Sequence, residues 1–114
     1  MKGRGENVVR LSEEERMTRA LSLLGMARRA GCLLIGQDRV LGAKGDLFIL
    51  TAEDCSPSVL RKVAPRLVKG VSVCLNMRGV TRETLGRSVG VNGAQIAALP
   101  IGSGFIKNLA ELLQ

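Results

Sequence analysis

The side chains able to do chemistry fall into a few groups. The run LLIGQDRV sets Gly36, Gln37, Asp38 and Arg39 directly after an apolar segment. A glycine that frees the backbone, an amide, a carboxylate and a guanidinium in a row can cradle a phosphate, read a base edge or simply cap a turn. Glu53 and Asp54 close a second apolar run, LFILTA, a position where α/β enzymes often hold catalytic carboxylates. Cys32, Cys55 and Cys74 are odd in number and widely spaced, and the chain has no histidine. Neither a disulfide framework nor a zinc site is indicated, and the usual general base is missing. The cysteines read as small buried hydrophobes in a reducing compartment. With no second acidic cluster and no phosphate loop, Glu53 and Asp54 read as a local turn, and neither an enzyme, a metal nor a cofactor is expected. The glycines of GRSVGVNG are spaced loosely like a dinucleotide loop, but they follow a helix where such a loop must follow a strand.

Charge adds a partner class. The 114 residues carry a formal +7. Between Arg61 and Arg87 seven bases stand against the single acid Glu83, leaving the remainder of the chain nearly neutral. A concentrated basic region fits phosphate-rich partners, or else a solvated surface kept for solubility. Two phenylalanines are the only aromatic residues, so a single-strand reader built on stacking is disfavoured. No apolar run is long enough to span a bilayer and MKGRGENVVR lacks the apolar core of a secretion signal, so a soluble cytoplasmic protein is expected.

These groups must be held by regular elements. Residues 1–11 read as a flexible tail, with Arg4 at most a weak phosphate contact, and residues 12–114 as one domain. Ser12 and Glu15 form a capping box, after which Met17, Ala20, Leu21, Leu24 and Ala27 keep helical spacing until Gly31. Cys32 to Ile35 predicts a short strand and Gln37 to Ala43 a helix of about two turns, weakened by Gly42. Asp46 to Ala52 predicts a strand buried on both faces. Ser56-Pro57 then starts a helix whose Leu60, Val63, Ala64 and Leu67 predict a buried stripe, which Val59 joins, with Lys62, Arg66 and Lys69 on another face and a break at Pro65. Val71 to Asn76 reads as a central strand, Thr81 caps a helix to Gly90, Ala94 to Leu99 is a strand and Ser103 caps a last helix through Leu113. The alternation predicts a three-layer α/β/α sandwich.

Four pieces recur in a fixed order: ARRAG, IGQDRV, LFILTAEDCSP and VTRETLGRSVGV. In this order the chain resembles the L-seven-Ae/L-thirty-e family of ribosomal proteins that bind kink-turn RNA, and especially its small bacterial ylxQ-type members. The resemblance runs from about Ser12 to the C-terminus. It implies a four-stranded mixed sheet between helices, with an RNA site built from loops at one end. The family opens its second helix on a glycine-threonine-asparagine-glutamate turn that reads a sharply bent duplex. Gly36 matches the glycine, while Gln37, Asp38 and Arg39 stand at the other three places and Ala43 at a small residue further on. Gly42 sits where kink-turn binders place a lysine.

The changes alter the chemistry. An ionised Asp38 only accepts hydrogen bonds, where asparagine also donates; Arg39 brings five donors and a permanent charge. The resemblance further implies contacts from Ser56 and Leu60 before and in the third helix, and from the loop Val91, Asn92 and Gly93, where Val91 can pack against a base and Gly93 has no side chain to offer. Arg28, Arg29, Lys44 and Arg87, with Arg78 and Arg82, are the expected auxiliary phosphate contacts. The function implied is a non-enzymatic, ribosome-associated protein that binds bent or kink-turn-like structured RNA. A protein interaction module of the same fold that has lost kink-turn reading is the alternative, with ribosomal or RNA-processing proteins as partners and no role for a membrane.

Overall fold

A computed structural model describes residues 11–68 and 70–113. Residues 1–10 of the expected tail, with Arg4, and Lys69 lie outside the described residues. Helix α1 (Glu13–Arg29) starts on the expected box: the Ser12 amide donates to Glu15 Oε1 at 2.8 Å and the Glu15 amide donates to Ser12 Oγ at 3.1 Å. Both satisfy amides that a helix start leaves unpaired. Gly31, at φ +78°, turns the chain out of the helix. Strand β1 pairs only over Leu34–Ile35, shorter than expected, and leads into α2 (Gln37–Gly42). Then come β2 (Leu47–Ala52), α3 (Pro57–Val63), a 3-10 turn (Ala64–Leu67), β3 (Val73–Met77), α4 (Arg82–Ser88), β4 (Ile96–Pro100) and α5 (Ile106–Leu113). The last helix begins after the glycines at 102 and 104, and Ser103 Oγ accepts from the Phe105 amide at the turn before it. Among the described residues no helix is long and apolar enough to cross a membrane.

The sheet order is β1-β4-β2-β3. Strand β4 is antiparallel to β1 and to β2, and β2 is parallel to β3. Side chains alternate between the faces of β2. Phe48 and Leu50 join Leu24, Leu85, Leu99 and Leu109 on the face covered by α1, α4 and α5. Leu47 and Ile49 join Val40, Val59, Val63 and Ile96 on the face covered by α2 and α3. The three-layer α/β/α sandwich is therefore present, with both cores meeting on β2. Each fully buried leucine or isoleucine contributes roughly 1.5–3 kcal/mol relative to exposure.

Two expectations need correction. Val71 to Asn76 reads as a central strand, but β3 is an edge strand: Val71 and Val73 are exposed, and β4 takes the inner place beside β2. An apolar run records propensity for a sheet, whereas its place in the sheet depends on which strand returns beside it. The expected buried stripe of α3 is also shifted. Val59 and Val63, four apart, face inward, while Leu60, Ala64 and Leu67 are exposed. Pro65 ends the α-helix at Val63, and the tighter 3-10 spacing that follows moves Ala64 and Leu67 off the helical face.

Candidate nucleic-acid interface

Because β1, β2 and β3 all run one way and β4 the other, four loops converge at one end of the sheet: those after β1, β2 and β3 and the one before β4. Outside the carboxyl ends of strands is where open α/β sheets hold ligands. Hydrogen bonds stitch these loops together. The Gly36 amide donates to Ile96 O at 2.9 Å, and the Ala52 amide to Gln95 O at 2.9 Å. The Glu53 amide donates to Val80 O at 2.7 Å and the Ala94 amide to Arg82 O at 3.1 Å. Gln95 Oε1 accepts from the Ser56 amide at 2.7 Å, joining the loop before β4 to the start of α3. The end is preorganised before any ligand arrives.

At its centre is a hollow of about 300 Å³ lined by Gly36, Gln37, Val59, Arg82, Gly93, Ala94, Gln95 and Ile96. Gly36 adopts φ +93° and ψ 155°, a conformation essentially confined to glycine, as it turns β1 into α2. Space lies open where Cβ atoms at Gly36 and Gly93 would be. Gln37 Oε1 is buried and has no hydrogen-bond partner. An acceptor left in this state costs about 1–3 kcal/mol unless a ligand or solvent donor reaches it. Arg82 is held from two sides by Asp54: its amide donates to Oδ1 at 2.8 Å and its Nε to Oδ2 at 3.4 Å. Both side chains are about half exposed, so the pair orients the guanidinium more than it stabilises the fold. Burial pushes the Cys55 and Cys74 thiols up; of the three cysteines expected to be buried, Cys55 is, while Cys32 and Cys74 are only partly buried.

Of the expected contacts, Gly36, Gln37 and Gly93 line the hollow directly. Ser56 lies beside it, but its hydroxyl accepts from the Val59 amide and its own amide is taken by Gln95. Leu60 is exposed one residue beyond Val59 and does not line the hollow. Asp38 and Arg39 are exposed on the first turn of α2 and Asn92 is exposed on the loop, while Val91 is partly buried against the α1 side core. The auxiliary cations scatter. Arg28 Nη1 donates to Val89 O at the end of α4, Arg29 lines a separate hollow beside Ser88, and Arg87 pairs with Glu83 at 3.8 Å. Lys44 lies between α2 and β2, at the opposite end of the sheet. Arg82 is the cation the fold brings to the hollow.

Val59 and Gln95 complete the lining without having been singled out in the sequence. Val59 reads as core, which it also is, and Gln95 reads as the start of a strand. Their role follows only from which loops meet. A larger hollow of about 530 Å³ lies between α1 and α5, but it is lined from helix flanks and no loop at the strand ends reaches it.

No protein-family model matches the chain, and a search of curated protein sequences finds no match. Solved structures do match. A protein of unknown function from Bacillus halodurans superposes with a TM-score of 0.72 at 26% identity, over 83% of this chain and 96% of that one. The Giardia lamblia 15.5kD RNA binding protein superposes with a TM-score of 0.66 at 13% identity, over 99% of this chain and 94% of that one. The protein thus has the L-thirty-e-like α/β/α fold with its four-stranded mixed sheet, similar over nearly its whole length to that of an RNA-binding protein.

Proposed function

We propose that this is a non-enzymatic RNA-binding protein, associated with the ribosome, that recognises a bent or kink-turn-like RNA through the end of the sheet where Gly36, Gln37, Arg82 and Gly93 meet. The observation that carries the reading is the unpartnered Gln37 Oε1 at a hollow flanked by two glycines and a tethered guanidinium. The glycines let a sugar-phosphate backbone or a base approach the chain closely. Gln37 reads a donor on a base edge. Arg82 meets phosphate, its orientation set by Asp54, and Arg39 adds a further charge at the rim. The fold shared with the Giardia RNA-binding protein supports the same assignment. Recognition of this kind selects a preformed bend by shape, with few base-specific bonds.

The test is a titration of a kink-turn RNA and a straight duplex of equal length at two ionic strengths. The expected result is a preference for the bent RNA that survives higher salt, while both affinities fall with salt. Equal affinity for the two RNAs removes shape recognition, and absence of salt-sensitive binding to either removes RNA as the ligand.

A further inference from the structure

The opposite end and outer edge of the sheet carry a feature that RNA binding does not use. Among the described residues, strand β3 has β2 on one side and no strand on the other. Its sequence, VCLNM, contains no charge or proline, the devices by which edge strands usually resist pairing. The chain leading into it is apolar and uncovered: Val68 is 83% exposed and Val71 63%, with Leu67 and Val73 also exposed. Val73 and Leu75 lie in register with Phe48 and Leu50, so they share one face of the sheet at its border. A strand laid against β3 would extend that face and cover them.

Charge selects the occupant. From Cys55 to Arg82 the chain has no acidic residue, and the exposed Arg61, Lys62 and Arg78 flank β3 in sequence on both sides, while the Arg66 guanidinium is taken by Ala43 O and Gly45 O. Asp46, beside the start of β3, accepts from Ser72 Oγ at 3.2 Å. A second copy of this chain would bring the same cations against themselves. An RNA would satisfy the cations but leave the valines bare, and residues 55–82 hold no aromatic ring on which a base could stack. We propose that the β3 edge docks an extended acidic polypeptide segment of a partner protein, with apolar side chains at every second position, which adds as a fifth strand. Its apolar residues cover Val73 and Leu75, and its carboxylates face the flanking arginines and lysine. Since the RNA site lies at the carboxyl ends of the strands and Val68 and Val71 precede β3, both ligands fit on one molecule at once.

The test uses the full chain and a labelled synthetic peptide alternating aspartate or glutamate with valine or isoleucine. Binding is expected in the micromolar range, and Val68→Glu with Val73→Glu is expected to weaken it at least about tenfold. The same peptide N-methylated on its central amides, and a version with lysine in place of each acid, are expected not to bind. Because the double variant could perturb folding, amide exchange is followed on the unaltered protein: saturating peptide is expected to slow exchange across residues 73–77 at least about tenfold. Equal binding by the methylated peptide, unchanged exchange in β3, or no binding overturns the proposal. Protection of the same amides by duplex RNA in place of the peptide overturns it in favour of nucleic acid.

Discussion

Gly86 in α4 lies against Gly93 of the loop before β4, so closely that a Cβ built on Gly86 would stand 2.6 Å from Gly93 Cα and 2.8 Å from its nitrogen. Two backbones touch there because Gly86 has no side chain. The contact sets how far the loop leans over the hollow that Gly93 lines.

The two glycines are therefore expected to respond differently to alanine. Gly86→Ala pushes backbone against backbone and is expected to cost about 1–3 kcal/mol, read by urea denaturation, and to weaken RNA binding by displacing the loop. Gly93→Ala meets nothing within 4 Å, so it is expected to fold normally while its methyl group narrows the hollow and lowers RNA affinity. A Gly86→Ala protein as stable as the original would show that the close approach is not required.

Gln37→Leu separates folding from binding. It removes a buried acceptor that has no partner, so stability is expected to stay level or rise, while RNA affinity falls by about 1–3 kcal/mol, roughly fivefold to a hundredfold. Thermal denaturation and an RNA titration on the same preparation check both halves. Unchanged affinity would remove Gln37 from the interface.

Arg82→Ala is expected to lower RNA affinity and to reduce the slope of log affinity against log salt by about one, the signature of one lost phosphate contact. Asp54→Ala leaves the guanidinium in place but untethered, so the slope is expected to persist while affinity drops modestly. Loss of the slope in neither variant would place the phosphate contacts elsewhere.

The start of α1 predicts a pH dependence. The Ser12 amide, then its hydroxyl, holds the Glu15 carboxyl below its ordinary value. Its stabilisation is complete above the ordinary glutamate range and is lost as pH falls through the lowered value. Glu15→Gln is expected to melt below the original protein at about pH 7, with the difference shrinking as pH falls through the lowered Glu15 value. A melting difference independent of pH would show that the charge on Glu15 contributes nothing.

Much of the architecture could be read from the chain because its signals are local. The Ser12 box, Pro57 after Ser56, the caps at Thr81 and Ser56 and the apolar alternation all act within a few residues, and each element they announce is present. The turn at Gly36 was equally legible, since only a glycine enters α2 at φ +93°. Where local rules met a conflict they misplaced side chains: α3 turned Val59 and Val63 inward and left Leu60 outside, the proline break moved Leu67 outward, and the apolar run of β3 ended at an edge.

The site divides along the same line. The residue types at the turn after β1, and the excess of positive charge, belong to the sequence alone, because identity and charge need no neighbours. Which cation stands beside Gln37 was decided by the sheet: β4 running against β1 and β2 brings residues 36, 54, 82 and 93 to one end, separates Arg28 and Arg29 from them, and sends Lys44 to the other. Strand direction is a property of the whole packed core, in which each face of β2 must be covered, and no stretch of a few residues contains it.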